Sequence, residues 1–400
     1  MTACIIAGRV LVPDGIIERG AIRVADGLIV EVADRAAYEG RIDRDFGHRL
    51  IAPGFIDIHN HGAVGHHFMT SDAVGIRQVL RYHMRHGTTS LLATTTTAAG
   101  GVIADGLGRL DEVMKRQQEQ TGEWGATVLG AHLEGPYLNP ARSGGQNSHH
   151  LRLPDVQEYR GWAATGLVRM ITLAPEMEGA RQLVRYIAGN GGVLVSAGHT
   201  DASGELMREA IGWGLSHCTH FTNAMSGFRE CEPGVFEPGA VGAGLLHDRL
   251  TVEVIADGTH VHPDILRLIY QVKGADRVCL ITDAVPFCGL PDGLYRRGPD
   301  DERQIQVCGG IVRLQANQVL AGSGLTMNRA AKQMASLGVP LTDVWQMASA
   351  TPARLLGLEA RKGRLVAGMD ADLIVLEDNF EVDQVMIAGQ LMDMTEEKAR

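Results

Sequence analysis

Eight apolar, strand-like runs recur through the middle of the chain, at 55–61, 88–97, 127–134, 168–174, 193–199, 217–222, 251–257 and 278–283. Helical spacing fills the gaps, for example at 73–86, 102–118 and 204–213. Strands alternating with helices imply a parallel sheet. Doubly wound sheets alternate too, but eight units over about 300 residues match a (β/α)8 barrel of the TIM type. The sequence therefore predicts an α/β protein with its barrel at 53–357. Residues 1–52 and 358–400 read instead as short strands and turns, including Asp26-Gly27, a hairpin signal. Neither end has enough chain for its own core, so together they are expected to form one small β-sandwich. Two long insertions interrupt the alternation, at 226–248 and 285–325. The second is expected to hold a hairpin of 304–314 with 318–322. Loops this long are usually functional.

Barrel enzymes build their sites at the C-terminal ends of the strands. Titratable residues gather there in this chain: His59 and His61 after the first strand, His132 and Glu134 on the third, and His199 on the fifth. His217 and His220 follow on the sixth, Asp257 and His260 on the seventh and Asp283 on the eighth. His59 and His61 are two apart in a strand and share a face. His132 and Glu134 also share one, and one of them could merely support the other. Of His217 and His220, which point differently, His220 is nearer the mouth. His66, His67, His149 and His150 fall in polar loops and read as solvated. His83 and His86 lie on a helix and read as surface residues. Nitrogen and carboxylate ligands without thiolates suit zinc, with iron, manganese or cobalt as alternatives. A divalent ion acidifies its water to a pKa of about 7, and a carboxylate such as Asp283 can move the proton. Such a set hydrolyses amides or esters.

Composition narrows the rest. The formal net charge of −10 argues against nucleic acid or an anionic membrane as partner. No run approaches 18 apolar residues and the N-terminus lacks a signal-peptide pattern, so a cytoplasmic protein is expected. Six cysteines form no CxxC pair and read mostly as buried thiols. No dinucleotide fingerprint, P-loop or nucleophile elbow competes with the metal reading.

The runs PGFIDIHNHG, HLEGPYLNP, SAGHT, HFTNAM, IADGTHV, TDA, LAGSGLTM and KGRLVAGMDADLIVL carry a resemblance. The chain resembles the amidohydrolase superfamily, and within it the N-acetylglucosamine-6-phosphate deacetylases, over nearly its whole length. The resemblance implies that Glu134, His199 and His220 hold the main metal ion, most often zinc. It implies that His59 and His61 can hold a second ion bridged by Glu134, giving one or two per subunit, and that Asp283 is the catalytic acid/base. It places Asn223, Ala224 and His260 on the sugar, Leu320, Ala321 and Gly322 in a loop above it, and Gly145 and Gln146 in the loop after the glutamate motif. It also implies a homodimer or larger homo-oligomer.

Two positions depart from that pattern. The family usually has His where Gln146 stands, and Arg where Cys231 stands. That Arg meets the substrate phosphate from the partner subunit. Arg229 lies two residues earlier and is the expected substitute, with Arg142 or His260 as alternatives. Without a substitute, a neutral N-acetyl sugar, an N-acyl amino acid or a cyclic amide becomes the rival substrate. A metal-free binding barrel is the rival from another class, and the complete ligand set argues against it.

Overall fold

Eight parallel strands form one sheet in chain order: β1 (Phe55–Asn60), β2 (Thr88–Thr94), β3 (Thr127–Glu134), β4 (Val168–Leu173), β5 (Leu194–Ala197), β6 (His217–Cys218), β7 (Thr251–Ile255) and β8 (Val278–Ile281). The computed structural model describes residues 4–38, 41–119, 123–298 and 301–395. Each strand is followed by a helix: α1 (Ala73–Arg85), α2 (Gly100–Glu119), α3 (Val156–Ala164), α4 (Ala180–Asn190), α5 (Gly204–Trp213), α6 (Ala240–Leu246), α7 (Pro263–Lys273) and α8 (Met327–Ser336). This is the eightfold barrel that the periodicity predicts. Its strands are almost entirely buried because helices cover the outside, and the polar residues among them, such as Asp57, Glu134 and Glu253, are buried too. Their short length at β5 and β6 frees residues 198–201 and 219–224 to turn across the mouth.

The ring closes where β8 returns to β1. Asp283 N–H donates to the His59 carbonyl (2.9 Å), and His61 N–H donates to the Ala284 carbonyl (2.8 Å). A side chain completes this seam. Asp57, fully buried, accepts from Thr282 N–H (3.2 Å), Thr282 Oγ1 (2.6 Å) and Asn60 Nδ2 (2.9 Å). Burial pushes its carboxyl above the usual range while those donors oppose the shift.

Both termini contribute to a seven-stranded mixed sheet beside the barrel. Arg44–Pro53 pairs with Leu373–Leu376 at its centre, which joins the two halves. At one edge Ile29 N–H donates to the Met369 carbonyl (2.8 Å), so the sheet curls back on itself around Ile6, Val10, Ile22, Ile51, Leu373 and Val375. The Asp26-Gly27 turn forms as expected, both residues at positive φ. Pro53-Gly54 separates this sheet from β1. Any side chain at Gly54 would lie 2.2 Å from Thr89, so only glycine fits. Below the barrel, Trp345 Nε1 donates to the Pro53 carbonyl (2.9 Å) and Ser349 Oγ to the Gly54 carbonyl (2.8 Å).

The insertions carry structure of their own. After β6, Arg229–Glu232 and Val235–Glu237 form an exposed hairpin. After β8 comes a three-stranded sheet of Gly293–Gly298, Asp301–Cys308 and Ile311–Leu314. The expected strand over 304–314 is thus itself a hairpin. Gly309 and Gly310 take φ of 59° and 79°, and the chain reverses there. Residues 318–322 run back along Ile311–Leu314, where Leu314 N–H donates to the Val319 carbonyl (2.8 Å), Ala321 N–H donates to the Val312 carbonyl (3.1 Å) and Arg313 bridges to Leu320.

Removal of the seam carboxylate is expected to weaken the fold. Asp57→Ala strands the Thr282 and Asn60 donors in the core, which costs about 2–4 kcal/mol. Urea unfolding should show a lower midpoint with an unchanged m-value. A wild-type midpoint would mean the seam does not depend on Asp57.

Candidate metal centre and active site

Glu134 ends β3 pointing into the mouth, and four imidazoles converge on it. Its Oε1 lies 3.0 Å from His220 Nε2, 3.2 Å from His199 Nε2 and 3.7 Å from His59 Nε2. Its Oε2 lies 3.3 Å from His61 Nε2. Asp283 Oδ1 closes the group, 3.2 Å from His61 Nε2 and 3.4 Å from His59 Nε2. Two candidate ligand sets follow, Glu134–His199–His220 and His59–His61–Glu134, sharing the glutamate. All six residues are buried. Three of them follow their strands with left-handed backbone, His199 at φ 47°, His220 at 30° and Asp283 at 49°. Such conformations cost about 1–3 kcal/mol each and persist where the surroundings impose them.

The hydrogen bonds behind the imidazoles decide what this cluster can hold. His199 Nδ1 faces the Arg142 carbonyl at 2.7 Å and must be the donor there. His59 Nδ1 faces Glu253 Oε2 at 2.9 Å. In the neutral rings the proton is therefore on Nδ1, and each Nε2 is a lone pair aimed at carboxylate oxygens and at another Nε2. The His199–His220 and His59–His61 Nε2 pairs are 3.1 and 3.3 Å apart. Lone pairs and anions collected this way need a cation among them, so the residues fit a divalent metal. The electrostatics agree. Burial alone would lower the pKa of His59, His61 and His220, yet each is raised, that of His59 well above the ordinary value, by the surrounding carboxylates. Burial alone would raise Glu134 and Asp283, yet the imidazoles hold both below the usual carboxylate range.

A wall of polar and small residues surrounds the cluster. Gln146, buried, donates from Nε2 to Glu134 Oε2 (2.5 Å), and its Oε1 accepts from Thr96 Oγ1 and Thr97 N–H (both 2.9 Å). A side chain at Gly144 would lie 3.3 Å from His199 and 3.8 Å from Ala224, and one at Gly145 would lie 3.1 Å from Ala321. Leu320, Ala321 and Gly322 run beside Asp283, whose carbonyl accepts from Ser323 N–H (2.8 Å). Asn223 Nδ2 donates to the His260 carbonyl (3.0 Å), while Asn223 Oδ1 is buried with no partner among the described residues. His260 Nδ1–H donates to Asp257 Oδ2 (2.7 Å), which orients the ring. Arg229 stands apart: it pairs with Glu237 at 2.7 Å on the exposed hairpin.

The chain matches the model of the amidohydrolase family over residues 50–392. The chain belongs to the amidohydrolase family. It is an enzyme that hydrolyses amide carbon–nitrogen bonds. Among its relatives, N-acetylglucosamine-6-phosphate deacetylase of Bacillus subtilis is 35% identical over 388 residues, covering 96% of this chain and 95% of the relative. N-acetylgalactosamine-6-phosphate deacetylase of Escherichia coli O157:H7 is 36% identical over 395 residues, covering 98% and 99%. The Mycobacterium smegmatis N-acetyl-D-glucosamine-6-phosphate deacetylase, solved as a mutant in complex with N-acetyl-D-glucosamine-6-phosphate, superposes with TM-score 0.87 at 34% identity, covering 98% of this chain and 99% of that one.

Several histidines of this amidohydrolase sit differently from the reading of the sequence. His83 is fully buried, not a surface residue: α1 turns it inward, where Asn60 Nδ2 lies 3.0 Å from its Nε2 and burial lowers its pKa to about 3. His67 is half-buried rather than solvated, its ring 5.8 Å from that of His61, and burial lowers it to about 3 as well. His132 faces Thr172 Oγ1 (2.7 Å) and Thr94 Oγ1 (3.3 Å) instead of the carboxylates. Two carboxylates escaped the sequence reading, Asp57 and Glu253. Their signal was a lone acid inside an apolar strand, Phe-Ile-Asp-Ile and Thr-Val-Glu-Val-Ile. Glu253 matters most here. It holds His59 Nδ1, accepts from His220 N–H (3.0 Å) and lies 3.4 Å from His217 Nε2.

Glu253→Ala should free His59 to rotate and lower metal affinity by about 10–100-fold. Competition against a chromophoric chelator reads this directly. Wild-type affinity would show that the second carboxylate does not orient the ligands.

Proposed function

We propose that this amidohydrolase deacetylates an N-acetyl amino sugar, N-acetylglucosamine-6-phosphate or a close relative, giving acetate and the amino sugar. The observation that carries the reading is the pairing of the Glu134-centred cluster with Asp283 in a chain about 35% identical, along nearly its whole length, to deacetylases of two such phosphosugars. We assign Glu134, His199 and His220 as ligands of one ion, zinc by the donor set, and His59 and His61 as able to take a second. When bound, the ion supplies an acidified water and polarises the acetamide carbonyl.

Asp283 accepts the proton of the attacking water on Oδ1, then delivers it to the nitrogen as the carbon–nitrogen bond breaks. His61 and His59, 3.2 and 3.4 Å away, hold that carboxylate in line. Asn223 Oδ1 offers a buried acceptor to the sugar, and His260, oriented by Asp257, offers Nε2. Gly145, Gln146, Ala224, Leu320, Ala321 and Gly322 enclose the sugar and exclude water. A dianionic sugar phosphate does not cross bilayers, which supports a cytoplasmic enzyme. No helix among the described residues is long and apolar enough to span a membrane. Phe228, just before the hairpin after β6, and Val235 and Phe236 on it, about 67%, 50% and 66% exposed, support a homodimer as the working form. A neutral N-acetyl sugar is the second reading, and Cys231 in place of the family's arginine favours it.

Acetate release from N-acetylglucosamine-6-phosphate, N-acetylgalactosamine-6-phosphate and their unphosphorylated forms tests the reading. The phosphosugars should turn over with the higher kcat/KM. Release from neither pair would refute the assignment, and preference for the neutral sugars would leave only the second reading.

Two substitutions test the machinery. Glu134→Ala should lose bound metal and nearly all turnover; full metal content would disprove the ligand assignment. Asp283→Asn should keep the metal and lose about 10²–10⁴ in kcat. A near-normal rate would exclude Asp283 as proton carrier.

A further inference from the structure

The rim of the mouth is rich in arginine, and most of that charge is already matched. Arg142 gives Nε and Nη2 to Asp201 Oδ1 (3.0 and 2.6 Å). Arg152 is paired with Glu158 (2.8 Å), and Arg229, apart from the mouth on the exposed hairpin, is paired with Glu237 (2.7 Å). Arg303 takes Asp301 with two hydrogen bonds, Nε to Oδ1 at 2.8 Å and Nη2 to Oδ2 at 2.6 Å. Arg297 is different. It lies on the strand Gly293–Gly298, and its contact with Asp301 is a loose 3.5 Å. Its Nη1 donates to the Gly145 carbonyl, and its Nη2 has no hydrogen-bond partner among the described residues. The trio Arg297, Arg303 and Asp301 therefore carries a net single positive charge beside the substrate wall.

The location of that charge is set by the Gly144–Gln146 turn. Gln146 reaches down to Glu134, Gly144 rests against His199 and Ala224, and Gly145 rests against Ala321. Arg303 grips the same turn from above, 3.3 Å from the Gly145 and Gln146 carbonyls. The Arg297 side chain remains 21% exposed, so it is neither sealed in the core nor out in bulk solvent. Burial and Arg303 depress its pKa to about 10, against the pull of Asp301, Glu134 and Asp283. A half-buried guanidinium with open donors is a strong partner for an oxyanion, because its planar fork matches a phosphate edge.

We propose that Arg297, steadied by Arg303 and Asp301 on the sheet inserted after β8, is the cation that binds the anionic group of the substrate. It acts in place of the arginine this chain lacks at Cys231, and from within the same subunit. This rests on the phosphosugar reading above and assigns its specificity to a residue outside the barrel.

The test compares wild type, R297M, R297K and R229A. Each is assayed for the ratio of kcat/KM on phosphorylated over unphosphorylated N-acetyl sugar, and for binding of glucosamine 6-phosphate by calorimetry. R297M should lower the ratio by about 10–100-fold, mainly through KM, with a matching loss of binding and unchanged metal content. R297K keeps the charge without the fork, so it guards against a variant that fails to fold, and its ratio should fall at least threefold. A wild-type ratio and binding in both Arg297 variants would overturn the proposal, as would collapse of the ratio in R229A alone. The two readings fail differently. A wild type that prefers the neutral sugar defeats the phosphosugar assignment. A wild type that prefers the phosphosugar, with that preference surviving in R297M and R297K, defeats only the role of Arg297.

Discussion

A buried carboxylate surrounded by imidazole lone pairs is the constraint on which the rest of this structure depends. Glu134 sits 2% exposed with four histidine nitrogens within 3.7 Å, and Asp283 and Glu253 add two further buried carboxylates. Three anions in a low-dielectric mouth are costly unless balanced by charge. In the metal-free protein the imidazoles must supply that balance by holding protons. A divalent ion would do it better, since Glu134 and several of these lone pairs could hold it together. Binding then releases those protons, and affinity falls as pH falls. The donor arrangement is rigid before any ion arrives, because the Arg142 carbonyl and Glu253 already fix two rings from behind.

The barrel provides that rigidity. Short strands at β5 and β6 end early, and the residues beyond them turn inward with left-handed backbone. Ordinary residues avoid that region, and here His199, His220, Thr222, Ala224 and Asp283 all occupy it. The strain is held by ladder bonds around the ring and by the closed seam at Asp57. Stability in the lower barrel is thus spent on geometry at the mouth. The terminal sheet and the 345–355 segment seal the opposite end, through Trp345 and Ser349 on Pro53 and Gly54.

Chemistry and selectivity are carried by different parts of the chain. The proposed metal ligands and proton carrier come from strand ends, where the barrel fixes their position. The wall around the proposed sugar site comes from the 144–146 turn, the 220–224 turn and the insertion after β8. Such segments change with little cost to the core. In this chain the strand-end set is complete, while the expected departures from the family fall at Gln146 in the 144–146 turn and at Cys231 on the exposed hairpin. Its Gln146 is turned inward onto Glu134 rather than outward. Its insertion after β8 brings arginines to the same turn.

The sequence by itself determined the barrel and most of the centre. Strand–helix alternation is a local property, and a residue at a strand's C-terminal end must face the mouth of a closed barrel. Hence the gathering of His59, His61, Glu134, His199, His220 and Asp283 at the mouth was legible from position, while the preference for Glu134 over His132 came from the family resemblance. Only the tertiary structure decided what depends on contacts between distant segments. His83 looked like a surface residue because nothing local says which helix face meets β1. Glu253 and Asp57 were hidden because a buried acid is intelligible only once its partners, 194 and 225 residues away, are in place. The hairpin at 304–314 turned on Gly309-Gly310, a local turn signal whose role shows only in the fold. Arg297 became visible only when the fold laid its strand against Gly145, since a free cation is defined by which of its neighbours are already paired.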